Sequence, residues 1–325
     1  MADITGITGA AQQSIGRYFS LVSFIPSALL VAYLFVLLSS GALYRPPDPA
    51  SVVHAVSHLS LTDVAVLTFL SVGVGLALHP LQFALVQFLE GYWGTGATAQ
   101  RVRSARIWWH WRRLLALREQ VGHEDQLLAK RGDAEDDPCP RERIAIVSRR
   151  DEADRLSGDQ PDELDQTMPT RLGNVLRYYE TAGGAPYQLD AIRVMPYLAR
   201  VASAEDMDYV NDQRSNLDLA VRLSLVSVIA SVLSLALLWR YDLWLLVALV
   251  PYTVAFLSYR GAVVAAGAYG QAFAAVIAVN RFALYERLHL PLPSNTSEER
   301  RANETLGYIL SYSNAHSLSY KHPKP

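Results

Sequence analysis

Four apolar stretches dominate this chain, at residues 18–40, 62–89, 220–239 and 243–259, set as two pairs around a charged middle. At 1.5 Å of rise per helical residue, such stretches match a hydrocarbon layer of roughly 30 Å, the fourth by continuing into the small-residue run behind it. The expected fold is therefore all-α: a four-helix transmembrane bundle with helical cytoplasmic extensions. That expectation fixes the solvent first. Much else depends on it.

With 325 residues there is room for one membrane bundle and one modest soluble region. Apolar residues make up 51% of the chain, and the mean hydropathy is only slightly positive. This is too low for a chain mostly in lipid and high for one wholly in water. A net charge of −2 gives the whole chain no pull toward nucleic acid, and no nucleic-acid partner is expected. The lone cysteine, Cys139, excludes an internal disulfide and any cysteine cluster for zinc or iron–sulfur. The first positive charge is Arg17, so the basic start of a secretory leader is missing and the first span is expected to be retained.

Arginines set the expected orientation. Arg101, Arg103, Arg106, Arg112 and Arg113 follow the second span, whereas the connection before it holds only Arg45 and the turn between spans three and four only Arg240. Arg281, Arg287, Arg300 and Arg301 follow the fourth span. Both termini and the middle region are thus expected to face the cytoplasm, and the two short connections to face out.

The expected organisation has four parts. Residues 1–89 are an N-terminal segment and spans one and two, and 90–203 a cytoplasmic region with a mobile acidic loop at about 131–166. Residues 204–268 hold spans three and four with helical extensions, and 269–325 a C-terminal helix and tail. The loop is rich in Asp, Glu, Gly and Pro, with one short apolar run at 144–147. Pro26 is expected to kink the first span near its inner third. Ser203 is placed to cap a helix running from Ala204 through Trp239, with Glu205 and Asp206 in its first turn. Thr170 similarly caps a helix carrying Leu172, Val175, Leu176 and Tyr179, and Pro291 and Pro293 stop the last long helix near Leu288.

Several strings resemble those of a family of actinobacterial four-span membrane proteins. They are His79-Pro-Leu-Gln-Phe83 with Leu89-Glu-Gly-Tyr-Trp93, Met168-Pro-Thr-Arg-Leu-Gly-Asn174, and Asn280-Arg-Phe-Ala-Leu-Tyr285 with Leu290-Pro-Leu-Pro293. The resemblance covers the spans and the membrane-proximal parts of the middle region, and leaves out the acidic loop. It implies the architecture only, since it brings no reaction, ligand or cofactor.

Polar groups near membrane depth are the functional candidates, because they are costly there and tend to face a bundle interior or a wet cavity. On one continuous helix His79, Gln82 and Glu90 share a face, with Gln87 further round, as the wall of a pore or proton path would require. The alternative is that the span is complete by Leu81 and the row is an ordinary extension at the inner interface. Arg222, Asp218 and Arg260 lie at that same inner level, as a charged ring in an oligomer or as ion pairs between helices. Gly261, Ala265, Ala266 and Gly270 thin the lower part of the fourth helix, which permits close packing within one chain or between copies.

Trp108, Trp109 and Trp111 with Arg112 and Arg113 suit a helix lying on lipid. His54 and His58 are four apart, a spacing that binds a metal only with a third ligand such as Asp48 or Asp63; no metal site and no cofactor are expected. Zinc-protease, P-loop, nucleophile-elbow and dinucleotide motifs are absent from the sequence, so no catalytic residue is assigned and an enzyme is the least supported reading. The foremost expectation is a self-associating membrane assembly, with a pore lined by the lower half of span two and controlled by the cytoplasmic region. Its rival is a membrane-anchored scaffold or sensor that docks a cytoplasmic protein.

Overall fold

All four apolar runs form helices in the computed structural model, which describes residues 19–132, 139–310 and 320–321. Among the described residues there are eleven α-helices and no strand. They are α1 (Ile25–Ser39), α2 (Pro49–Ser57), α3 (Leu61–Leu78), α4 (Gln82–Glu90), α5 (Ala97–Arg131) and α6 (Pro140–Ser157). Then follow α7 (Arg171–Ala182), α8 (Ala191–Leu198), α9 (Ala204–Leu238), α10 (Leu249–Arg287) and α11 (Thr296–Leu310). The chain divides into two units, residues 1–88 with 208–269 and residues 89–207 with 270–325.

Four helical segments are long and apolar enough to cross a bilayer: Val22–Ser39, Leu61–Leu78, Ala204–Leu238 and Asp242–Arg287. The protein is built as a multi-pass membrane protein. Before α1, Phe19–Phe24 is π-helical, and Pro26 lies in the first turn of α1. A proline there lacks a donor and crowds the carbonyl four residues back, so the turn before it widens. Where a kink is expected at Pro26, the structure describes a π-helical segment just before it.

Within the first unit, helices meet through small residues and short hydrogen bonds, as lipid-facing helices do when no hydrophobic force drives them together. Gly75 of α3 lies under the Ser23 carbonyl, which also accepts from the Ser27 hydroxyl at 2.8 Å. The Tyr33 hydroxyl joins Ser234 Oγ at 2.6 Å, and Leu30 packs with Val226 and Ala230. From α9, Ser224 and Ser231 donate to the carbonyls of Ala255 and Ala248 at 3.2 and 3.1 Å.

The second span does not run unbroken over residues 62–89. The helix ends at Leu78, and His79-Pro80-Leu81 form a turn before α4 begins. Pro80 has no N–H to give, and the chain crosses it with short bonds from Leu81 N to the Leu78 carbonyl and from Gln82 N to His79.

In the second unit, α5 and α6 form an antiparallel hairpin. Ion pairs link Arg131 to Glu142 near its turn, then Glu124 to Arg149 and Asp125 to Arg150, both at 2.9 Å. This corrects the mobile loop expected at 131–166, although residues 133–138 lie outside the described residues. Ile146 and Ala153 supply a narrow buried seam, and charge pairing on both sides fixes the register. A second core gathers Leu189, Val194 and Leu198 from α8 and its lead-in, Ile277, Leu284 and Tyr285 from α10, and Leu306 from α11. The expected caps form: Ser203 Oγ accepts from Asp206 N at 3.1 Å and Thr170 Oγ1 from Gly173 N at 3.0 Å.

Candidate functional site

Gln82 is the first residue of α4, and in the first unit it bridges two charges on α9. Its Nε2 donates to Asp218 at 3.2 Å, to Oδ1 and to the backbone carbonyl, while its Oε1 accepts from Arg222 Nε at 2.9 Å. Asp218 and Arg222 are one helical turn apart on the same face, and Arg222 is fully buried. The amide can serve both partners in one orientation only, oxygen toward the guanidinium and NH2 toward the carboxylate. Arg214 also lies 4.0 Å from the Asp218 carboxylate, so the set holds one anion and two cations within one chain.

The row expected along span two is not brought together. The turn at Pro80 takes His79 off the helix that carries Gln82, and His79 Nδ1 lies 3.4 Å from Ser23 Oγ. Gln87 is half-buried and makes no hydrogen bond among the described residues. Arg260 does not join Asp218 and Arg222. It is exposed, with its guanidinium 5.9 Å from the Phe256 ring centroid.

Glu90 belongs to the second unit, where it enters a cluster that the sequence does not announce. Its backbone carbonyl accepts from Thr170 Oγ1 at 2.9 Å and rests on Gly173. Gly91 follows with φ +109°, and a side chain there would overlap Pro169. Asn174 is fully buried and closes the other side, accepting from Met168 N at 2.7 Å and donating to the Met168 carbonyl at 3.2 Å. The Glu-Gly and Met-Pro-Thr-Arg-Leu-Gly-Asn strings are thus two halves of one joint. Burial raises the Glu90 carboxyl to about 7, helped by the negative charge of Glu180 and opposed by Arg177. Arg177 itself bonds Glu180 at 3.1 Å and the Tyr92 hydroxyl at 3.5 Å.

Next to this joint, His110 of α5 is buried with no partner for its Nε2. Burial depresses it to about 4, reinforced by Arg106, Arg113 and Arg171 and offset by a hydrogen bond to Pro169. It is held neutral. Of the expected lipid-facing residues, Trp108, Trp109, Arg112 and Arg113 are exposed, while Trp111 is half-buried.

The small residues of α10 divide in the same way. Ala266 is buried within the first unit and Gly270 faces Tyr179 in the second, Ala265 is half-buried, and Gly261 has open space above its Cα. On α2 and its flank, the His54 and His58 rings lie 4.3 Å apart. Both acids that could complete a metal site are otherwise engaged: Asp48 caps Ala50 and Ser51, and Asp63 forms a capping box with Ser60. The Asp48 carboxyl is held below the usual range, chiefly by the Ser51 side chain. Among the described residues, no three His, Cys, Asp or Glu side chains gather as a metal site.

Comparison of the chain with family models, with curated proteins and with solved structures finds no match.

Proposed function

We propose that this protein is a membrane-anchored scaffold of the bacterial cytoplasmic membrane, with both termini inside, whose second unit docks a cytoplasmic protein. The observation that carries this reading is the closure of Gln82 on Asp218 and Arg222. A pore wall needs polar side chains turned toward a shared axis, and here Gln82, at the start of α4, is spent on two charged groups of its own unit. What the chain offers instead is surface: the α5–α6 hairpin, whose α5 alone extends about 50 Å. On α6, Ile144 and Val147 are exposed beside Arg143, Ser148 and Asp151, around a shallow hollow fit for a peptide or helix from a partner.

The test is site-specific photocrosslinking from Ile144 and Val147 in native membranes, repeated with the four spans replaced by unrelated ones. A discrete protein adduct that survives the exchange supports docking. Ion flux through proteoliposomes of the purified protein, abolished by Gln82→Leu, would instead favour the pore.

A second reading, self-association, draws on α3. Only 11% of that span is buried within the chain; Phe69 is 81% exposed, and Gly73 has open space above it. Lipid or a second copy satisfies such a face equally well. Native mass spectrometry of nanodisc-held protein separates the two, since Phe69→Ala lowers the oligomer fraction only if copies meet there.

A further inference from the structure

The first turns of α5 carry an exposed arc that mixes cations with large apolar side chains. Placed at 100° per residue, Trp108, Arg101, Arg112, Trp109, Val102, Arg113 and Arg106 follow one another round an arc of about 160°, with buried His110 and Leu114 outside it and Arg106 at the edge nearer His110. Trp108 is 55% and Trp109 46% exposed, and Val102 is exposed with them. The guanidiniums of Arg106 and Arg113 both lie over the Trp109 ring, 5.0 and 5.4 Å from its centroid. One indole therefore holds two cations on the outer surface before any ligand arrives. Among the described residues none of the arginines on this arc has an ion-pair partner, whereas Arg118, the next along the helix, already pairs with Asp162.

Such a surface is incomplete in water. Its apolar part is uncovered and its cations have no counter-charge, and both needs are met by the headgroup level of an anionic leaflet, where indoles settle and arginines meet phosphates. The chain has the means to arrive there, since it is anchored by its spans and only α4 and a turn separate span two from α5. Trp111 is half-buried and His110 buried, and neither takes part, so Arg101 and Arg106 stand in place of Trp111 among the residues expected from the sequence.

We infer that the arc formed by Arg101, Arg106, Trp108, Trp109, Arg112 and Arg113 binds the surface of an anionic bilayer, its guanidiniums on lipid phosphates and its indoles among the headgroups. This goes beyond the docking reading above and stands on different residues from the Ile144–Val147 patch.

The experiment uses the full chain in nanodiscs of phosphatidylcholine and phosphatidylglycerol, with one lipid or the other brominated at equal mole fraction. Fluorescence quenching assigned to Trp108 and Trp109, taken as the difference from Trp108→Phe/Trp109→Phe, is expected to be at least about twofold stronger from brominated phosphatidylglycerol. Arg106→Gln/Arg113→Gln should remove that preference while leaving the circular dichroism spectrum unchanged, and high salt should weaken it. Equal quenching by both lipids, or none by either, overturns the proposal. So does loss of quenching on adding single-stranded oligonucleotide, which would assign the arc to nucleic acid, or on adding inorganic phosphate, which would make it a site for the free anion.

Discussion

Arg222 Nε donates to Gln82 Oε1 at 2.9 Å, joining the only polar end of α4's first turn to a fully buried cation on α9. With Asp218 on the other side of the amide, one side chain links two charged groups of α9 through its two ends. Desolvated charges are costly to isolate and cheap to remove together. Arg222→Met alone should destabilise the protein by about 1–3 kcal/mol, because Gln82 Oε1 is left buried without its donor, while Asp218 keeps Arg214 at 4.0 Å. Gln82→Leu should cost roughly 1–3 kcal/mol. Adding Gln82→Leu to Arg222→Met should cost little more, since the amide oxygen has by then lost its donor. A double-mutant cycle on thermal unfolding in nanodiscs checks all three.

Two glycines on α10 should respond in opposite senses to the same change. Gly270→Ala puts a methyl group into the Tyr179 ring, whose hydroxyl holds Asp159 at 2.9 Å and accepts from Gln271 at 3.2 Å. The variant should lower the melting temperature and speed hydrogen exchange in α7. Gly261→Ala meets open space within a helix, and should be neutral or stabilising by about 0.5–1 kcal/mol.

Local chemistry was legible in the sequence and distant pairing was not. Ser203, Thr170 and the prolines after residue 290 mark helix ends because a cap is settled within four residues, and each marks the end that the structure has. The polar row failed to assemble for a reason also present in the sequence: Pro80 breaks the helix on which the row was drawn, but apolar residues on both sides hide the break. Gln82 finds its partners 136 and 140 positions away, and one sequence carries no trace of that. Helix α6 was hidden for another reason. Its apolar content is small, and its order comes from Glu124, Asp125 and Arg131 on α5 rather than from its own residues.

Glu90 and His110 should give the second unit two pH dependences that nearly cancel. Glu90 is raised from 4.5 to about 7, so its contribution is full below pH 4.5 and is lost as pH rises through 7. His110 is depressed from 6.5 to about 4, so its contribution is full above pH 6.5 and is lost as pH falls through 4. Between these limits the slopes oppose each other, and the native chain should melt at nearly constant temperature. Glu90→Gln should leave a unit that weakens toward acid, and His110→Leu one that weakens toward alkali. Melting curves of the three proteins from about pH 5 to about pH 8 read the slopes directly.

Cys139 offers the sharpest test of how the chain is held. It is the sole cysteine, it is exposed, and it lies at the start of α6 in the second unit. A membrane-impermeant maleimide applied to intact bacterial cells should leave it unlabelled, and the same reagent should label it once the membrane is opened. Labelling in intact cells would place the second unit outside and contradict a cytoplasmic docking surface. Recovery of the labelled protein from the soluble fraction, without detergent, would contradict the four spans themselves.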